Sequence, residues 1–175
     1  MADSRYERID QFIDSSVETL IELQTILTAI PALSPESGGE GELDKCLALE
    51  AWLRNRGFTS LERFDAPDRR AKEGIRPSLV LSLKGRGSGP RLWIMSHLDV
   101  VPPGDRGLWD SDPWTLEVRD GKIFGRGVED NQQGLCASVL AALALRELNP
   151  LEPSLSPLAS PSELKLLFVA DEEMG

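Results

Sequence analysis

The chain is poor in the residues on which many hydrolytic sites depend. Among 175 residues there is one histidine, His97, so any site must rely mainly on carboxylates. The two cysteines, Cys46 and Cys136, lie far apart and form no Cys-x-x-Cys pair, which leaves out a zinc ribbon or a thioredoxin-type redox motif. Both fall in helix-like apolar patterns and read as small buried hydrophobes in a reducing, cytoplasmic chain. No apolar run reaches the roughly 18 residues of a membrane-spanning helix. The N-terminus lacks the basic and apolar regions of a signal peptide. Basic residues are also in deficit. Nineteen Lys and Arg against 29 Asp and Glu leave a formal net charge of −10, which repels phosphate backbones and excludes nucleic acid as the expected partner.

What is present is a globular composition. Hydrophobic residues at 41% and charged residues at 27% exclude a disordered, collagenous or membrane class. The length suits one domain. Residues 4–30 predict a single amphipathic helix, with Ser4 and Glu7 as a capping box. Its buried face would be Ile9, Phe12, Ile13, Val17, Leu20, Leu23, Leu27 and Ile30, with Pro31 as the stop. A turn-rich stretch, 34–41, leads to a second helix over 41–56, with Gly57 as its left-handed cap.

Strand patterns follow at 60–65, 78–84 and 91–96. The last two flank a Gly-rich turn, which predicts a hairpin or tight connection. The run Leu92-Trp93-Ile94-Met95 is apolar on both faces, as expected of a central strand covered on both sides. Residues 116–118 and 122–124 flank the hairpin signal Asp120-Gly121. An Ala/Leu-rich helix over 132–148, a Pro/Ser-rich loop over 149–162 and an apolar strand over 164–170 complete the pattern. Helices alternating with apolar strands predict an α/β layered fold.

Three polar clusters stand at or near strand ends, where α/β sheets bind ligands. The first is Ser96-His97-Leu98-Asp99. In an extended chain, residues i and i+2 share a face, so Asp99 can lie beside His97 and orient its imidazole. The second, 125–131, contains Asp130 near the start of a helix. The third is Asp171-Glu172-Glu173, adjacent carboxylates that repel unless a cation or solvent offsets them. Each alone also fits ordinary structure: a core histidine beside a turn, a helix cap, a solvated acidic loop. Together they form a hard, oxygen-rich set suited to a pair of divalent cations.

Four motifs in order carry a family resemblance: SHLDVVP (96–102), W-x-x-D-P-W (109–114), DGKIFGRGVED (120–130) and DEEMG (171–175). The chain resembles metallopeptidase family M20, which includes acetylornithine deacetylase, succinyl-diaminopimelate desuccinylase, aminoacylase, carnosine-type dipeptidases and glutamate carboxypeptidase. The resemblance implies a zinc-exopeptidase-like α/β catalytic domain with a mixed sheet flanked by helices. It implies two divalent ions, zinc or else cobalt or manganese, and hydrolysis of an amide bond in an N-acyl amino acid or short peptide. His97 would ligate one ion, Glu173 the other, and Asp130 both, with a cis peptide bond after Asp130. Asp99 would orient His97, and Glu172 would be the general base.

Two departures accompany the resemblance. Asp130-Asn131-Gln132-Gln133-Gly134 replaces the usual Asp-x-Lys-Gly-Gly, placing neutral Gln132 where a cation is common. The further acidic ligand, the distal histidine and the lid domain through which such proteins dimerise have no counterpart in residues 1–175. The expectation is therefore the N-terminal part of an M20-type catalytic domain, inactive and marginally stable alone, with strand 164–170 as an apolar edge. The alternative is a non-catalytic module that binds one ion weakly or only a protein partner.

Overall fold

In the computed structural model, residues 4–85, 89–151 and 161–174 are described. The N-terminal helical region is two helices, α1 (Ser4–Ser15) and α2 (Val17–Thr28), where one was expected. The hydroxyls of Ser15 and Ser16 both donate to the Phe12 carbonyl, at 2.8 and 2.7 Å. Such back-bonding competes with the helical ladder and bends it. Ser16 leaves helical geometry at φ −97°, ψ 5°. The apolar stripe is interrupted there, and Ile13 and Val17 are 52% and 56% exposed instead of buried. The side chain of Ser4, half of the expected capping box, lies outside the described residues.

Helix α3 (Leu43–Asn55) follows, and Gly57 takes φ 85° after it, as expected of the cap. Strands β1 (Leu61–Pro67), β2 (Ile75–Lys84) and β3 (Gly89–His97) come next. The short hairpin β4 (Glu117–Arg119) and β5 (Lys122–Phe124) turns at Asp120 and Gly121, both at positive φ, as the Asp-Gly signal requires. Helix α4 (Gln133–Leu151) and strand β6 (Pro161–Val169) complete the order. The expected loop 149–162 lies largely outside the described residues, although α4 continues to Leu151 and β6 begins at Pro161.

The sheet order is β1-β2-β6-β3, antiparallel at β1–β2 and β2–β6 and parallel at β6–β3. This mixed sheet with packed helices is the expected α/β class. Two expectations about it change. Strands β2 and β3 form no hairpin, because β6 inserts between them. Strand β6 is therefore internal, and β3, like β1, is an edge strand among the described residues.

The parallel register pairs Ile94 with Leu166 and Ser96 with Phe168, placing them on one face. On that face Leu79, Leu81, Leu166 and Phe168 are fully buried and join Leu23, Leu27, Leu49, Leu53, Leu135 and Val139 from α2, α3 and α4. The opposite face carries Trp93 and Met95, 51% and 66% exposed, so the expected two-sided cover of this run is absent from the described residues. Both cysteines are unpaired and buried in the core, where burial pushes each thiol up to about 12. Among the described residues no helix is long and apolar enough to cross a membrane.

Candidate metal centre

Because β3 and β6 run parallel, their C-terminal ends lie side by side. His97 is the last residue of β3, and Asp171 follows β6 after one intervening residue. This adjacency brings together acidic and imidazole groups more than 70 positions apart. Asp130 arrives from a five-residue turn, Val128–Gln132, ahead of α4, with non-helical φ −106° and ψ 101°. The Asp130–Asn131 peptide bond is cis. One ligand atom each of His97, Asp130 and Glu173 falls within a sphere of mutual distances up to 4.8 Å.

The histidine is held from both sides. Its Nδ1 stands 3.0 Å from the main-chain carbonyl of Asp99, and its Nε2 stands 3.1 Å from Asp130 Oδ1. The Asp99 carboxylate, the expected orienting group, is 3.7 Å from Nδ1, beyond a hydrogen bond. The carbonyl of the same residue makes that contact. The carboxylate instead accepts the backbone N–H groups of Glu172 and Glu173, at 3.1 and 2.9 Å. Asp99, 1% exposed, thus links the His97 segment to the acidic turn 172–174.

Charge in the site is one-sided. Glu173 is pushed above its usual carboxylate value by burial first and then by the charge of Asp130, with Asp99 and Glu172 adding to it. For His97, burial acts to lower its value, but hydrogen bonds to Asp130 and the Asp99 carbonyl prevail and raise it. Both ring nitrogens face oxygen atoms, the Asp99 carbonyl at Nδ1 and the Asp130 carboxylate at Nε2. A cation against Nε2, Asp130 and Glu173 would leave the Nδ1–H bond to the carbonyl intact, which is the tautomer an imidazole ligand needs. The donor set of one imidazole and two carboxylates therefore fits a divalent ion of the zinc type. Glu172, with a side chain 57% exposed, places Oε2 3.9 Å from Nε2.

Several further residues support the site. Asn131 accepts the backbone N–H of His97 at 3.3 Å. Gln132, at the position where the family often has Lys, is 3% exposed and accepts the Thr28 hydroxyl at 2.9 Å, tying the turn to α2. Gly127, at φ 82°, allows close approach: an added Cβ would stand 2.6 Å from Val100 Cγ1. The 109–114 motif forms a backing loop. Trp109 donates its indole N–H to the Pro103 carbonyl, Arg126 lies over the Trp109 ring, and the Arg126 N–H bonds the Pro113 carbonyl at 2.7 Å. A cleft of about 220 Å³ opens among Arg126, Gly127, Val128, Glu129, Asp130 and Glu173.

A buried ionic group lies behind the acidic turn. Glu42, just before α3, and Arg76 of β2 form a two-bonded ion pair, with side chains 0% and 5% exposed. The remaining Arg76 nitrogen, Nη1, reaches Asp171 Oδ1 at 2.5 Å, an ion pair without hydrogen-bond alignment. Lys45, 1% exposed on α3, is electrostatically coupled to Asp99 and Glu42.

Residues 93–175, which contain the centre, match the model of peptidase family M20/M25/M40. Over this stretch the chain carries the M20 family's pattern. Similar curated M20-type proteins include an uncharacterized metallohydrolase of Methanococcus maripaludis, 36% identical over 92% of this chain and 38% of that protein. A succinyl-diaminopimelate desuccinylase of Bordetella petrii is 31% identical over 91% of this chain and 35% of its own length. Among solved structures, the dipeptidase Dug1p of Saccharomyces cerevisiae superposes with a TM-score of 0.74 at 22% identity, over 97% of this chain and 35% of that one, a likeness of fold. The chain spans little more than a third of the length of these M20 relatives.

Proposed function

We propose that this chain supplies the ion-binding and proton-transfer groups of a hydrolase that cleaves an amide bond of an N-acyl amino acid or short peptide. The carrying observation is the convergence of His97, Asp130 and Glu173 within 4.8 Å, with the Glu172 carboxylate beside them. A pair of divalent ions, zinc in the first place and cobalt or manganese as alternatives, would supply Lewis acidity that polarises the amide carbonyl and acidifies water. His97 would hold one ion, Glu173 the other, and Asp130 both.

The chain's own residues do the rest. The Asp99 carbonyl would hold the proton on Nδ1 and so leave the Nε2 lone pair free for an ion beside Asp130. The Asp99 carboxylate fixes the backbone that carries Glu172 and Glu173. Glu172 takes the proton of the attacking water and returns it to the departing amine. The cleft, smaller than the roughly 300–1,000 Å³ of drug-sized pockets, admits the reacting end of a substrate. The buried, unpaired thiols suit the reducing cytoplasm.

A second reading has its own support. Three ligand atoms are fewer than the four of a closed tetrahedral set. On that reading the 175-residue chain by itself holds one ion weakly, or only a protein partner, and turns nothing over. Calorimetric titration of the chain with zinc, beside Asp130→Ala and Glu173→Ala, tests the ligand assignment. Loss of binding in both variants is expected, and unchanged affinity would remove these residues from the site. In a longer chain carrying the same residues, undiminished amide hydrolysis after Glu172→Ala would sink the assigned base.

A further inference from the structure

The acidic turn after β6 has two tethers, and the second has no role in the chemistry described so far. One tether is the Asp99 carboxylate on the backbone of Glu172 and Glu173. The other is Arg76 on the side chain of Asp171, the residue where the backbone leaves β6 at φ 64°. Asp is one of the few non-glycine residues that enter this left-handed region readily.

Arg76 is itself fixed. Its Nε and Nη2 bond the fully buried Glu42 carboxylate, which leaves Nη1 directed to Asp171. The planar fork of an arginine serves two carboxylates at once, whereas a lysine presents a single point charge. A buried ion pair is weak as a source of stability, so its position calls for another account.

We propose that Arg76, backed by Glu42, is a positioning residue. It holds Asp171 so that Glu172 and Glu173 stay against Asp99 and face His97 and Asp130. The positioning stands on geometry alone; its consequence for ion binding rests on the ligand reading given under Proposed function.

The test uses Asp171→Asn in the 175-residue chain. This change cuts the outer arm, leaves the buried Glu42–Arg76 pair intact, and keeps a residue tolerant of positive φ. Arg76→Lys, which keeps the charge beside Glu42 and loses the fork, is the second variant. Amide hydrogen exchange is read by NMR in the ion-free chain, with Leu166 of β6 as reference. Exchange at Glu172 and Glu173 should accelerate at least about tenfold in both variants while Leu166 stays at the wild-type rate. Wild-type rates at Glu172 and Glu173 would overturn the proposal. So would equal acceleration at Leu166, which would reduce the arm to general stabilisation. Cobalt titration of the same proteins should show at least about fivefold weaker binding in the variants. Absence of cobalt binding in the wild type would count against the ligand reading, and the exchange rates would still decide the positioning role.

Discussion

Replacing Lys45 by methionine should remove a defined pH dependence from folding stability. Lys45 is 1% exposed. Burial lowers its value from 10.5 to about 8, against the opposing pull of Asp99 and Glu42. In the unfolded chain the ammonium titrates at the ordinary value. Between the two values the unfolded chain holds a proton that the folded chain has released, so stability rises with pH across that window. Below about pH 8 both states are charged and the whole cost of burial stands; above about 10.5 both are neutral and it is gone. At about 1.4 kcal/mol per pKa unit the span amounts to about 3 kcal/mol.

Methionine has a similar reach and no charge. The difference in stability between variant and wild type should therefore be largest near pH 7.5, favour methionine, and shrink by about 3 kcal/mol as pH approaches 10.5. Cys46 and Cys136 act in the other direction. Their folded values are raised to about 12, so stability falls as pH rises above their ordinary 9.0 and the unfolded thiols ionise. That loss is common to both proteins and cancels in the difference. Urea unfolding followed by tryptophan fluorescence at several pH values between 7.5 and 10.5 measures it. A difference that stays constant across the range would refute the buried, desolvated lysine.

Other substitutions probe the support and the core. Arg76→Met strands the buried Glu42 carboxylate and should cost about 3–5 kcal/mol in urea unfolding, with most of the loss recovered by adding Glu42→Leu. Gly127→Ala forces a Cβ to within 2.6 Å of Val100 Cγ1 at φ 82°. It should destabilise by at least about 1 kcal/mol and shift the His97 ring resonances in NMR. Phe168→Ala empties a fully buried position on the internal strand, and a loss of about 3–5 kcal/mol is expected by the same unfolding measurement.

Local chemistry was legible in the sequence and long-range pairing was not. The Asp120-Gly121 hairpin, the Gly57 cap and the placement of His97 and the acidic triplet near strand ends depend on residues close in the chain. The sheet order does not: β2 and β3 look like partners because a glycine-rich turn separates them, and only β6, far downstream, displaces that pairing. The division of the first helix rests on two serines whose back-bonding an apolar periodicity does not register. Glu42, Lys45 and Arg76 stand in no motif, and their burial follows from packing between α3 and β2. Asp99 is correctly placed beside His97 by the i, i+2 rule. That rule says nothing of whether carbonyl or carboxylate meets the ring, a choice made by the amides of Glu172 and Glu173.

The insertion of β6 between β2 and β3 also bears on the moment of synthesis. Strands β2 and β3 leave the ribosome early, yet the strand that joins them starts only at Pro161. At about 5–20 residues per second, β2 waits roughly 4–15 s for its partner. During that interval the nascent chain presents unpaired strand edges to its surroundings, including the apolar run Leu92 to Met95 of β3. That edge of β3 is closed only when residues 161–169 slot in beside it.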